Sequence, residues 1–501
     1  MNIRAYRSRT GIPLFFALTV ALLAGPAWSA AKSVIVLIGD GMGPMTVRAA
    51  SIKLHGRDGK LVMQGLPVKG VLCTTSFGGG VTDSAAAATA LASGYKTKNG
   101  MIGMTQDGSL VRSILEACRD AGKSTGLVAT SSITHATPAG FASHVSSRGS
   151  EYDIASQLVA SRVNVLLGGG KSFFLEPQGD AWIGVDFKDA AGTKLSGWSE
   201  RMRHKTGEES ERTVLTPPGA ASANVWIWRG GSLNAFFDDF TLSPKKGDSA
   251  TRLVNADFEK GDASGWNLWS GCEVVRDGAS MALRVAPGGG CDQTVPVDAG
   301  REYSFGYRGR ISDPDAGLPD RRLPWDEAAR VGYVRIEKKG ELAGASGPFV
   351  LGLFEPGAME NTPAEPTLAE MAGKAFDLLG RGPQGFFLMV EGSQIDWAAH
   401  GNDAEGLYRQ MAWFDDTVKA ALAYAKKKGD VLVVVTADHE TGGVTVEGST
   451  ASTLKLAFTT KGHTDTRVPL FAYGPGSKAF AGAHDNTEVP QLIARALGLA
   501  F

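Results

Sequence analysis

Residues 386–400 read FFLMVEGSQIDWAAH: an apolar run, a glutamate, a short polar turn, then an aspartate and a histidine four positions apart. Short continuous apolar runs of this kind read as parallel strands buried on both faces. Residues spaced i, i+4 share a helix face, so Asp396 and His400 can reach one ion together, while Glu391 at the strand end can reach another. The pattern recurs, because VIVLIGD ends in Asp40 and VLVVVTADH ends in Asp438 and His439. In an open α/β sheet, functional groups gather at the carboxyl ends of the strands. Three strand-end carboxylates would therefore crowd together, at several kcal/mol each unless cations or hydrogen bonds compensate them. A lone aspartate at such a place reads as the cap of the next helix. Three of them, two with nearby histidines in a chain holding only eight, point to divalent metal.

The chain has 501 residues, enough for a large core and more than one domain, and its net charge of −1 argues against a nucleic-acid surface. Residues 1–29 read as a signal peptide: Arg4, Arg7 and Arg9 precede an apolar stretch from Ile12 to Leu23, then small residues around Ala27–Ala31. The stretch is short for a membrane span and no later run reaches that length, so the mature protein is expected to be periplasmic or secreted. Export permits disulfides. Of Cys73, Cys118, Cys272 and Cys291, the last two bracket a strand-like stretch and make the better pair.

Strands and helices alternate over residues 30–176 and again over 324–501, which predicts a βαβ-type sheet. Between them, residues 177–323 turn to short alternating runs such as ANVWIWRG and REYSFGYRGR, the pattern of an inserted all-β sandwich. VNADFEKGDASGW resembles the opening strands of carbohydrate-binding jelly rolls, and SANVWIWRGGSLNAFFDDFTL their closing strands. The closing piece comes first, so a permuted sandwich is expected, its termini side by side and spliced into a host loop. Trp226, Trp228, Trp266 and Trp269 read either as a sugar-stacking surface or as core.

VTDSAAAATALASG places Asp83 and Ser84 at the start of an alanine-rich helix. Both are good helix caps, and a helix N-terminus also attracts anions. Ser84 as a nucleophile needs activation, and neither a GxSxG elbow nor a sequence-adjacent histidine supplies it, which turns attention to a bound cation. GDGMG at 39–43 and AGKST at 121–125 do not complete a nucleotide-binding loop.

Six motifs in order, GDGMG, TDSAAAATA, THATPAGFASHVSSR, FFLMVEGSQIDWAAH, TADHETGG and GHTDTRVPLFAYGPG, resemble the alkaline phosphatase family over essentially all the chain outside the insert. The resemblance implies a three-layer α/β/α fold with a large, mostly parallel sheet, and a phosphomonoesterase with two zinc ions and one magnesium. It implies that Ser84 becomes phosphoserine and that Arg148 clamps phosphate oxygens. Asp396, His400 and His463 match the first zinc site, Asp40, Asp438 and His439 the second, and Asp40, Thr137 and Glu391 the magnesium site. His135 and Trp397 stand where the best-known members carry Asp and Lys. That substitution makes zinc or cobalt an alternative to magnesium and predicts weaker binding of product phosphate. Expected partners are small phosphate monoesters, glycans through the insert, and a second copy, since family members are often dimers. The rival readings are a phosphodiesterase of the same superfamily and a glycan- or surface-binding protein with a degenerate phosphatase core. Glu391 and Arg148 favour the monoesterase.

Overall fold

The computed structural model describes residues 30–501 apart from 176–180, 203–207, 230–233, 247–249, 270, 287 and 313–322. The signal peptide expected at 1–29 lies outside the described residues. Ten strands build the main sheet: β1 (Ser33–Gly39), β2 (Val68–Cys73), β3 (Ser124–Ser132), β4 (Val165–Gly169), β5 (Val334–Ile336), β6 (Val350–Leu353), β7 (Phe386–Gly392), β8 (Val431–Thr436), β9 (Val468–Tyr473) and β10 (Gly482–Asp485). Their order is β5-β6-β4-β3-β7-β1-β8-β9-β2-β10. All are parallel from β5 to β8, and β9 alone runs against both of its neighbours.

Every residue of β1, β7 and β8 is buried, as their continuous apolar sequences require. Ile38 of β1 pairs with Glu391 on one side and Thr436 on the other, so the three strands finish level. Their acidic ends therefore meet at one edge of the sheet.

Helices cover both faces. On one side pack α1 (Pro44–His55), α5 (Leu368–Leu379) and α7 (Ala404–Lys428); on the other pack α2 (Ser84–Ser93), α3 (Ile114–Asp120), α4 (Ala136–Ala142) and α8 (Val489–Leu497). The result is the three-layer α/β/α arrangement. The short α6 (Gln394–His400) starts just beyond the end of β7.

Two local features position the site. Asp83 caps α2 by accepting a hydrogen bond from Ala86 N at 3.0 Å, which starts that helix at Ser84. The small residues of α2 and α4 then let the two helices close up: a Cβ on Gly140 would lie 2.7 Å from that of Ala88. The helix that starts at Ser84 thereby packs closely on α4, whose N-cap is His135 and whose second residue is Thr137.

The insert folds as two five-stranded antiparallel sheets. One holds 181–188, 194–202, 222–229, 267–268 and 290–296, the other 208–215, 234–244, 272–277, 280–285 and 302–312. Ile183, Val185, Val225 and Ile227 of the first sheet and Phe237, Phe240, Tyr303 and Phe305 of the second belong to one buried core, distinct from that of the main sheet. The four tryptophans of the sequence reading separate: Trp266 is buried against Phe240 and Phe258, Trp226 is half-buried, and Trp228 and Trp269 are 44% and 43% exposed. One expectation is corrected. Cys272 and Cys291 are both free thiols, and Cys272 Sγ donates to the Gly290 carbonyl at 3.0 Å instead of bonding to its expected partner.

Candidate active site

At the level ends of β1, β7 and β8 the expected carboxylates converge. Three groups bring ligand atoms within 4.8 Å of one another: Asp40, Asp438 and His439; Asp396, His439 and His463; and Asp40, His135 and Glu391. His439 Nε2 is the centre of the first group, 3.1 Å from Asp438 Oδ2 and 3.6 Å from Asp40 Oδ1. Ser84 Oγ lies 3.3 Å from the same nitrogen. A histidine distant in sequence thus stands beside the serine. His400 joins the second group, with Nε2 3.3 Å from Asp396 Oδ2 and 3.1 Å from His463 Nε2.

Several polar atoms here are buried without partners among the described residues. Both oxygens of Asp40, Oδ2 of Asp438, Oε1 of Glu391, Oγ1 of Thr137 and Nδ1 of His135 have no hydrogen bond. Burial drives the Asp40 carboxyl well above its ordinary range, and the negative charges of Asp438, Asp396 and Glu391 push the same way. Glu391 is raised to about 7, chiefly by burial. Burial also disfavours ionised Asp396, but the hydrogen bond from His400 and the nearby His439 outweigh it and hold that carboxyl at about 2. Raised carboxylates in a dry crevice are the signature of missing positive charge. Oxygen and imidazole donors in these sets suit divalent metal, so the residues present fit such ions.

Second contacts orient the donors. His463 Nδ1 lies 2.8 Å from the Thr82 carbonyl and His400 Nδ1 contacts the Lys461 carbonyl, so each ring turns Nε2 toward Asp396. Asp438 Oδ1 accepts from Gly41 N at 3.1 Å and from His439 N at 2.9 Å. Gly41 has φ +72°, and a Cβ there would sit 2.8 Å from the Asp396 Cα, which explains the glycine inside GDGMG.

Arg148 lies at the rim. Its Nη1 donates to Asp83 Oδ2 at 3.1 Å and its Nη2 donates to His135 Nε2 at 2.9 Å, while each terminal nitrogen carries a second N–H. His135 is held neutral, its pKa lowered to about 3 by burial and then by the Arg148 charge. Trp397 meets the His135 ring edge-on at 6.3 Å and is 38% exposed. The sequence reading missed Thr441, which donates to Asp396 Oδ1 and approaches His439 Nδ1 at 3.2 Å, although it stands within TADHETGG. It also missed Ser131, whose hydroxyl donates to Glu391 Oε2 at 3.3 Å, and the two orienting carbonyls, which no side-chain pattern announces.

Comparisons with known proteins agree with this geometry. The sequence profile of the family described as Alkaline phosphatase matches residues 31–204 and 300–457. The chain is 26% identical to Alkaline phosphatase 4 of Bacillus subtilis, over 93% of this chain and 88% of that protein. It is 29% identical to Streptomycin-6-phosphate phosphatase of Streptomyces griseus, over 95% and 92%. The solved alkaline phosphatase of the Antarctic bacterium TAB5 superposes with a TM-score of 0.61 at 25% identity, covering 94% of this chain and 99% of that one. A histidine-to-aspartate mutant of the TAB5 enzyme has Mg bound in its M3 site. Fold, converging donors and sequence relationship lead to one conclusion: the chain belongs to the alkaline phosphatase family, a family of metal-dependent enzymes, and is a phosphatase.

Proposed function

We propose that the protein is an exported phosphomonoesterase that works through a phosphoserine on Ser84. The observation that carries this reading is the set of buried, unpartnered oxygens of Asp40, Asp438, Glu391 and Thr137 beside a helix-capping serine. Asp396, His400 and His463 would hold one zinc and Asp40, Asp438 and His439 a second. Asp40, Thr137 and Glu391, with His135 alongside, would hold a third ion, magnesium. Bound there, such ions stabilise charge on the entering and leaving oxygens of phosphoryl transfer and make water a better nucleophile.

The chain's own residues do the rest. Ser84 Oγ attacks phosphorus in line and the bond to the leaving oxygen breaks; water then attacks the phosphoserine in line, releasing phosphate and restoring the hydroxyl. Two inversions give net retention at phosphorus. The N-terminus of α2 stabilises negative charge at Ser84. Arg148, braced by Asp83, offers a planar pair of donors to two phosphate oxygens, a geometry that an ammonium does not match. Trp397 stands at the mouth in place of a cation, which favours release of product phosphate. Export rests on the leader-like residues 1–29.

Hydrolysis of p-nitrophenyl phosphate and of its bis-ester, measured on protein of known metal content before and after chelation, tests the reading. The monoester should be strongly preferred and turnover should vanish with the metal. Preference for the bis-ester, or full activity after exhaustive chelation, would overturn it.

A second role concerns the insert, which we propose binds neutral glycans. The exposed Trp228 and Trp269, with Trp269 Nε1 donating to Asp292 Oδ1 at 3.2 Å, support this reading.

A further inference from the structure

The second sheet of the insert carries a cavity of about 120 Å³ on the face turned away from the sandwich core. Side chains alternate along its strands: Phe237 and Leu283 point into the core, while Phe236, Asp238, Arg308 and Arg310 line the opening. Gly309 sits in the floor, where a Cβ would come within 2.9 Å of Met202 Sδ, and the small Ala282 leaves the space open.

The backbone here is locally unusual. Pairing between 234–244 and 302–312 shifts register between Gly306 and Arg308, and Asp239 adopts φ +52°. Bulges re-aim side chains, and non-glycine residues in the left-handed region cost about 1–3 kcal/mol, a strain that clusters at ligand sites. Asp238, only 8% exposed, stands opposite Arg308 in the strand pairing at this shift and lines the cavity, with Oδ1 accepting from Asp239 N at 2.8 Å. Burial pushes its carboxyl up to about 6.

The walls define the ligand by exclusion. Arg310 grips Asp277 through two parallel hydrogen bonds and lies 4.2 Å over the Phe236 ring. Arg308 pairs with Asp239 at 2.9 Å. An anion would face Asp238 and Asp277, a cation would face the two arginines, and an apolar group would desolvate all four. A nucleotide- or drug-sized molecule needs a pocket of roughly 300 Å³ or more. A sugar ring offers the matching chemistry, because each hydroxyl donates and accepts at once, suiting guanidinium donors and carboxylate acceptors set side by side.

We propose that this cavity is a second binding site of the protein and takes one neutral sugar unit of a glycan. The proposal rests on the glycan role suggested for the insert and gives it a location distinct from the exposed tryptophans. Calorimetric titration of the full metal-loaded protein with cellohexaose, maltohexaose, xylohexaose and chitohexaose tests it. At least one should bind saturably, and both Asp238→Ala and Ala282→Phe should weaken that binding about tenfold or more. Ala282→Phe plugs the space without removing a buried polar group, so the pair separates loss of the site from loss of fold. Turnover of p-nitrophenyl phosphate should stay unchanged in both. Binding that survives both variants and disappears in the Trp228→Ala, Trp269→Ala double variant would overturn the cavity while leaving the insert a glycan binder. No binding of any of the sugars would overturn both.

Discussion

The crevice of the main sheet and the interior of the insert both bury polar groups, and they differ in how the unpaired ones are arranged: the insert leaves single atoms such as Trp226 Nε1 and Asn255 Oδ1 without partners, whereas the crevice gathers several together, most of them carboxylate oxygens. In the insert the Gln293 amide accepts from Val254 N at 2.6 Å and donates to Val254 O at 3.0 Å, and the Trp266 indole donates to Asn255 O at 3.2 Å. Those groups serve the fold, since each interaction lost with water is replaced within the chain. In the crevice, Asp40 is wholly buried with neither oxygen bonded, beside Glu391 and Asp438, each of which leaves one buried oxygen unbonded. A folded chain tolerates such a cluster when something from outside completes it. The contrast separates scattered unpaired atoms from a cluster of unpaired carboxylate oxygens, which a cation from outside the chain would complete.

The contrast can be broken or sharpened by substitution. The largest effect is expected from Ser84→Ala, which should lower turnover of p-nitrophenyl phosphate by roughly a thousandfold or more while leaving folding and metal content intact. Retained turnover would remove Ser84 from the chemistry. In the insert, Trp266→Ala should destabilise the sandwich by about 3–5 kcal/mol in thermal unfolding, because it empties a site packed by Phe240 and Phe258, yet should change kcat/KM less than twofold.

Glu391→Gln tests the unpaired carboxylate itself. Glu391 keeps its proton up to about pH 7 in the folded chain, above the ordinary glutamate value, so the folded state binds more protons than the unfolded one in that interval. Stability attributable to Glu391 is therefore present at acid pH and falls as pH rises through the folded pKa. Chelated wild type should lose up to about 3 kcal/mol relative to chelated Glu391→Gln between roughly pH 4.5 and 7, read from denaturant midpoints. Added metal should reverse the ranking, and parallel pH profiles would count against a buried unpaired charge. The smallest effect is expected at Trp397→Lys, which introduces a cation at the mouth and should lower the inhibition constant of phosphate several-fold, about 1 kcal/mol of binding. An unchanged constant would show that this position does not touch the product.

Much of this was legible in the sequence for a physical reason. β1, β7 and β8 are continuous apolar runs because both faces are buried, and each carries an acidic residue at or just past its end, where a parallel sheet presents its strand ends together. Asp396 and His400 were legible from helical spacing alone. His463 was not: it sits in a two-residue strand paired to Glu440–Thr441, and its ring is turned by a backbone carbonyl. Thr137, Arg148 and His135 entered through the family resemblance, since nothing local distinguishes them from a helix residue and loop residues. The cavity of the insert escaped the reading because its lining comes from separate stretches, 236–238, 277–282 and 308–310, that no single motif brings together. Cys272 and Cys291, the better candidate pair of the sequence, do come close, and both are free thiols, Cys272 Sγ donating to the carbonyl of Gly290 beside Cys291.

The central claim is that the unpartnered donors of the crevice are metal ligands arranged around a nucleophilic Ser84. Peptide mass spectrometry of metal-loaded protein, quenched in acid during turnover of p-nitrophenyl phosphate, tests it most directly. The account predicts phosphate on Ser84 in the loaded protein and none after chelation. Turnover without phosphoserine at Ser84, or phosphoserine formed equally well in chelated protein, would contradict it.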